Sequence, residues 1–359
     1  MLEAVAVEVA KATPFDASLW LGVDPATLLP TAPGRITGIE SSGCSPYWSR
    51  EFQVQDANLF RDLARLPVPV ATLRTATDDQ PVRSARYREF MEPQGFDDEL
   101  RAVFRSGDNA WGVLGLYREK NRPPFDADDV AFINAISAPL ANRLRTYVAA
   151  AAPWLATSAA PGLLMFTPDA TLVSSNAEAT GWLEQLSTFR GHSGEASPSS
   201  DWIRSLGEPG VPDICVPPAL IALIARAQAV AAGHERGPAR LRLRSRGGRW
   251  LVLHASCLEG VAGSMVAVMI EPAKSAEIAP IIIEAYALTT RERDVVRGIA
   301  QGLSTAEIAS EVFLSPHTVR DYVKSVFDKV GVSSRGELVA KLFAEHYYDA
   351  LHAGVGHGD

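Results

Sequence analysis

Apolar residues recur at intervals of three and four in some stretches of the chain and alternate singly in others, and the switches between the two periods mark its elements. Val130, Ile133, Ile136, Leu140, Leu144 and Tyr147 fall on one face of a long helix, with Asp126 placed to cap its start. Ahead of it, Arg101 to Arg105 and Trp111 to Tyr117 predict two strands joined by the polar turn Ser106 to Asn109, and Asn121 to Pro124 end the second. Downstream of the Ala-rich, Pro-containing Ala149 to Pro153, Pro161 to Thr180 predicts strand, Pro-Asp turn, strand and a helix start. A helix is expected from about Pro217 to Ala232. Strands follow over Ala239 to Arg246, Trp250 to Leu258 and Ser264 to Glu271, divided by Gly247-Gly248 and by Gly260 to Gly263. The Ser-, Gly- and Pro-rich run from Ser187 to Gly210 is expected to be a mobile loop.

Beyond Leu288 the period is helical throughout. Thr289 with Glu292, Ser304 with Glu307 and Ser334 with Glu337 each have the spacing of a capping box, in which hydroxyl and carboxylate satisfy the free amides at a helix start. Ser315 followed by Pro316 marks a fourth start, because proline has no amide to leave unsatisfied there. Gly302 and Gly331 are placed as stops. At about 100° per residue, Arg320, Asp321, Lys324 and Asp328 lie within roughly 60° of His317, while Val319, Val323, Val326, Phe327 and Val330 cluster opposite. A second apolar face, formed by Ile308, Ala309 and Val312, lies only Phe313, Leu314 and Ser315 upstream. Two helices joined by so short a turn predict a helix-turn-helix, whose second helix enters the DNA major groove.

The polar stripe has chemistry suited to that task. A guanidinium at Arg320 can donate two hydrogen bonds to guanine O6 and N7, and Lys324, one turn on, can reach a second guanine or a phosphate. The Thr318 hydroxyl can position on a phosphate without reading sequence. Asp321 must accept from a cytosine amino group or restrain Arg320 or Lys324, since phosphate repels it. Ser315, His317 and Arg335 complete the expected DNA-facing set. From Tyr286 to Glu345 eight basic residues face eight acidic ones, so non-specific affinity should be weak and useful binding should need two copies.

LTTRERDVV at Leu288 to Val296, GLSTAEIA at Gly302 to Ala309, SPHTV at Ser315 to Val319 and KVGVSSRGEL at Lys329 to Leu338 resemble the LuxR-type (GerE-like) helix-turn-helix domain of bacterial transcription regulators. The resemblance covers nearly all of Ala287 to Phe343. It implies four helices, the third reading DNA and the fourth helping two copies pair, with Thr318, Arg320, Asp321 and Lys324 where such domains contact DNA. Tyr322 departs from a frequent His and Asp321 from an apolar or basic residue, so the operator cannot be borrowed. Upstream, ELRAVFRSGDNAWGVLGLYREKNRPPFDADDVAFINAISAPLANRL resembles the end of a GAF domain, and the order of elements from Pro161 to Glu271 resembles a PAS domain.

Length and composition fit this picture. A chain of 359 residues, 47% hydrophobic and 21% charged, exceeds one core. A multidomain α+β protein is therefore expected: a GAF-like sensor at 1–150, a PAS-like domain at 151–275, a linker at 276–285, an all-α DNA-binding domain at 286–347 and a tail at 348–359. A net charge of −8 argues against indiscriminate coating of nucleic acid. No apolar run reaches the roughly 20 residues of a membrane span, and no signal peptide opens the chain, so the cytoplasm is expected. Cys44, Cys215 and Cys257 have neither metal nor disulfide spacing.

Four arginines, Arg240, Arg242, Arg244 and Arg246, alternate along one strand and predict a charged, solvent-facing sheet surface. His254 is expected as a hydrogen-bonded core residue rather than a haem ligand, and Trp20, Trp48 and Trp111 as core filling. The chain carries no phosphate loop, nucleophile elbow or paired metal motif, so neither catalysis nor a cofactor is expected. The expected function is a DNA-binding transcriptional regulator, with double-stranded DNA, a second copy, a small-molecule effector and RNA polymerase as partners. The alternatives are a sensor or scaffold whose helix-turn-helix no longer binds DNA, and a sigma-factor-like subunit, which would need further helical regions.

Overall fold

A computed structural model describes residues 2–39, 44–149, 160–186, 190–191, 217–245, 248–260 and 263–343. Most of the expected 187–210 loop, Arg246, Glu345 and the 348–359 tail lie outside them. Two compact units are present, one holding the described residues up to Leu144 and from 160 to Pro272, the other Arg145 to Ala149, the end of a long helix, and those from Ala273 onward.

The first unit opens with α1 (Leu2–Ala12), which buries Leu2, Ala6 and Val9 at the spacing of one helix face. It continues through β1 (Ala17–Val23), β2 (Pro30–Thr37), α2 (Cys44–Gln53), α3 (Phe60–Leu63), β3 (Val70–Thr72), α4 (Leu73–Ala76), β4 (Phe96–Ser106), β5 (Asn109–Glu119) and α5 (Ala127–Ala149). The expected hairpin is β4–β5, paired from Phe96 with Glu119 to Ser106 with Asn109 across a loop where Gly107 takes φ +62°. Asp126 caps α5 as expected, its Oδ1 accepting from the amides of Asp128 (2.9 Å) and Asp129 (3.0 Å).

The second half of this unit comprises β6 (Gly162–Phe166), β7 (Leu172–Ser175), α6 (Ala177–Gln185), the two-residue β8 (Arg190–Gly191), α7 (Pro218–Ala231), β9 (Arg240–Arg244), β10 (Trp250–Gly260) and β11 (Gly263–Pro272). The sheets run β3-β4-β5-β1-β2-β8 and β7-β6-β11-β10-β9. Apart from β8, which pairs in parallel with β2, both are antiparallel and share one internal order: second, first, fifth, fourth, third.

The two sheets were expected as separate domains, yet one apolar core runs through both. Helix α2 packs on α7, the Gln53 side chain donates to Gln228 Oε1 at 2.9 Å, and Arg61 meets Glu235 at 2.7 Å. The β9 arginines correct the expected solvent face. Arg242 is 3% exposed, and its Nε and Nη2 donate to the two carboxylate oxygens of Asp24 at 2.6 Å each. A charge so deep needs a bidentate partner, and the partner lies in the turn after β1. Arg240 and Arg244 are half-buried. Trp20 and Trp111 are buried as expected.

The second unit is all-α: α8 (Ser275–Ala285), α9 (Thr290–Ala300), α10 (Thr305–Glu311), α11 (Pro316–Val330) and α12 (Arg335–Phe343). Residues 276–285 therefore form a helix, not the expected linker. The Lys274 amide donates to Glu277 Oε2 at 2.9 Å at its start, Ile278 and Ile281 are buried, and α8 packs on α12. Glycine at 298 lets α9 approach α10 closely, since a Cβ there would lie 2.7 Å from Ile308 Cγ1. Gly298→Ala is expected to cost about 1–3 kcal/mol by overpacking, measurable as a lower urea midpoint by far-UV circular dichroism. Among the described residues no helix is long and apolar enough to cross a membrane.

Candidate nucleic-acid interface

Each helix of the second unit starts where local hydrogen bonding requires it. Thr289 Oγ1 accepts from the Glu292 amide while Glu292 Oε2 accepts from the Thr289 amide at 2.7 Å, and Ser304 with Glu307 repeats the arrangement. Ser334 Oγ accepts from the Glu337 amide at 3.1 Å, but Glu337 reaches back to the amide of Ser333, one residue earlier than the box requires. Ser315 Oγ caps α11 by accepting from the Thr318 amide at 3.1 Å, and Gly331 ends it in the left-handed conformation at φ +68°.

Helix α11 buries Val319, Val326 and Val330 against Val295, Val296, Ile299, Ile308, Ala309, Leu338 and Leu342, with Val323 and Phe327 half-buried beside them. The opposite face is thereby fixed outward. His317, Arg320, Asp321 and Lys324 are all exposed and Thr318 is half-buried on the flank. Of the two roles open to Asp321, restraint of Arg320 or Lys324 is not the contact it makes here. Its Oδ2 lies 3.1 Å from His317 Nδ1, one turn back, an ion pair only when the imidazole is protonated.

Five of the eight basic residues counted above are engaged within the unit. Arg293 pairs with Glu284, Arg297 with Asp294 at 3.2 Å and Lys329 with Glu292 at 2.6 Å. Lys341 donates to the Val330 carbonyl at 2.6 Å, closing the C-terminal end of α11. Arg335 donates to Leu303 O (2.7 Å) and Thr305 Oγ1 (2.8 Å), so its guanidinium ties the start of α12 to that of α10. Arg320 and Lys324 have no ion-pair partner among the described residues, and their donors remain available from the outer face. Phe313, in the turn before α11, is 93% exposed at φ +56°.

One residue that positions this face was legible only in part. Glu292 was expected as a cap, but it is 3% exposed and also accepts from Ser325 Oγ at 2.7 Å and from Lys329 Nζ, both on α11. Burial alone would push its carboxyl up. The bonds from Lys329, Ser325 and Thr289 outweigh that and hold it at about 2. The start of α9 is thus locked to the middle of the outward-facing helix.

Residues 286–342 match the model of the "Bacterial regulatory proteins, luxR family". The spore germination protein GerE of Bacillus subtilis is 44% identical over 55 residues, which is 15% of this chain and 74% of that protein. The putative HTH-type transcriptional regulator Mb0914c of Mycobacterium bovis is 48% identical over 52 residues, 14% of this chain and only 6% of its own length. The probable transcriptional regulatory protein NarL of Mycobacterium tuberculosis is 33% identical over 98 residues, 27% of this chain and 40% of its own. Mb0914c and NarL are named as transcriptional regulators, and each of the three matches covers less than a third of this chain. Through its C-terminal residues, the chain belongs to the luxR family of bacterial regulatory proteins.

Proposed function

We propose that the protein is a sequence-specific transcription regulator that reads double-stranded DNA with the outer face of α11, as a homodimer. Control comes from ligand or partner binding in the two-sheet unit. The observation that carries this reading is the contrast on one domain surface: Arg320 and Lys324 are exposed one turn apart without ion-pair partners, while most other cations are engaged internally. Arg320 reads a guanine edge, Lys324 and Thr318 hold phosphate or a second base, and the His317–Asp321 pair flanks them. Ser315 and Arg335 act through position, the first by capping α11 and the second by fixing α12 against α10.

Two antiparallel sheets of one internal order, each accompanied by helices, support GAF-like and PAS-like sensor modules joined through a common core. In this reading the protein works in the cytoplasm beside RNA polymerase and needs no cofactor. Selection of bound fragments from the organism's genomic DNA by the full-length protein tests the proposal. A short inverted repeat should be recovered by the wild type and lost by the Arg320→Ala, Lys324→Ala double variant.

Single variants should separate the roles. Arg320→Ala is expected to cost about 1–3 kcal/mol per half-site and to relax preference at one base pair. Lys324→Ala, if it meets phosphate, should weaken all sequences alike and reduce the slope of log K against log salt by about 1. Fluorescence-anisotropy titrations across a salt series measure both. A second reading, a scaffold whose helix-turn-helix no longer reads DNA, is favoured by the balanced charge of the domain and by Asp321 on its outer face. It predicts equal recovery by wild type and double variant.

A further inference from the structure

We propose that Phe313 is a further DNA-reading residue, its ring packing on the C5-methyl group of a thymine at the mouth of the major groove. Helices α9, α10 and α11 each stop in the left-handed conformation. The first and last do so at Gly302 (φ +80°) and Gly331 (φ +68°), the residue type that takes this conformation without steric cost. Helix α10 stops at Phe313, φ +56°. There the Leu314 amide donates to the Ala309 carbonyl at 2.9 Å, as the Leu303 amide donates to the Gly298 carbonyl at 3.0 Å after α9. The backbone thus asks for glycine at 313, and a bulky side chain there is strained.

The fold does not offset that strain. Phe313 is 93% exposed, whereas its neighbours Val312 and Leu314 both pack against the core of the helical unit. An aromatic ring so placed costs stability twice, through strain and through uncovered apolar surface, and a residue kept at that cost points to a partner that covers it. Its place selects the partner. Phe313 lies two residues before Ser315, the N-cap of α11, so the two Cα atoms are at most about 7 Å apart. Ser315, His317, Arg320 and Lys324 follow it, all exposed, on the face assigned to DNA. The start of a recognition helix is where side chains meet base edges. On the major-groove edges of the bases the apolar group is the thymine methyl, which phenylalanine is suited to contact. A phenyl ring has no donor to offer a phosphate, so the backbone is the poorer partner.

Contact with thymine rests on DNA reading by α11 as proposed above, and one experiment separates the two. Full-length wild type and Phe313→Asn are titrated by fluorescence anisotropy with the selected inverted repeat, with the same duplex carrying deoxyuridine for every thymidine, and with a scrambled duplex. Deoxyuridine removes the methyl and keeps the hydrogen-bonding edge. The wild type should prefer the repeat to the scrambled duplex and should lose at least about fourfold on deoxyuridine, the equivalent of one buried methyl. Phe313→Asn should bind the thymidine repeat at least about fourfold more weakly than the wild type and change by less than about twofold on deoxyuridine. Its urea midpoint by far-UV circular dichroism should equal or exceed that of the wild type, because asparagine takes the left-handed conformation more readily. An equal loss on deoxyuridine by both proteins, or a selected repeat without thymine, would overturn the thymine contact and leave DNA reading intact. A lower midpoint in the variant would make the ring structural and overturn the contact as well. No preference of the wild type for the repeat would overturn both readings.

Discussion

Replacing Asp24 by Ala is expected to destabilise the two-sheet unit by about 3–5 kcal/mol, because it leaves a buried guanidinium without its carboxylate. Arg242 donates through two nitrogens to Asp24 at 2.6 Å, and Asp24 Oδ1 also accepts the Ala26 amide at 2.9 Å, so one truncation removes an acceptor from three donors. The pair joins residues 218 positions apart in the chain. Urea unfolding followed by tryptophan fluorescence reports on this unit, since no tryptophan lies beyond Trp250. Asp24→Leu combined with Arg242→Met should recover much of the loss, as removing both charges spares the desolvation cost. A loss below about 1 kcal/mol in the single variant would place the pair among ordinary surface bridges.

Glu292→Gln should cost the helical unit about 3 kcal/mol, the difference implied by a carboxyl held at about 2 against its ordinary 4.5. The sign follows from the direction of the shift. The folded state binds this proton less readily than the unfolded one, so the stabilisation is complete above the ordinary value and drains as pH falls from 4.5 toward 2. Far-UV circular dichroism in urea should therefore show wild type and variant converging in acid and separating above pH 4.5. Parallel curves at all pH values would remove Glu292 from the account of how α11 is held.

The contrast between these two residues shows what the sequence discloses. The helical unit was legible because its boundaries are local: a hydroxyl and a carboxylate three residues apart suffice to mark Thr289, Ser304 and Ser334 as caps. The β4–β5 hairpin, β10, β11 and α5 were legible from period and turn residues. By contrast, β1 buries all seven of its residues and shows no alternation, so nothing in its pattern separates it from other apolar segments. Helix α8 was missed for a different reason: Pro280 lies inside it, where a proline argues against a helix.

Partnerships across the fold were hidden. Arg242 looked like one of four alternating surface cations because its carboxylate lies in a distant turn, and the second role of Glu292 depends on Ser325 and Lys329 arriving from α11. The His317–Asp321 contact, at four residues' spacing on one helix, could have been read from the chain alone. The exposed pair Arg320 and Lys324 was legible, since it follows from the helical period. That Arg335 is tied to Leu303 and Thr305 was not.

Sequence reading by the outer face of α11 can be measured directly. The most direct test titrates one duplex carrying the selected repeat, and a scrambled duplex of equal length, with full-length wild type and with Arg320→Ala, Lys324→Ala at matched salt. Circular dichroism should first show both proteins equally folded. The wild type should prefer the repeat by at least about tenfold, and the double variant should lose that preference. Equal affinity of the wild type for both duplexes, or an unchanged preference in the double variant, would contradict sequence reading by that face.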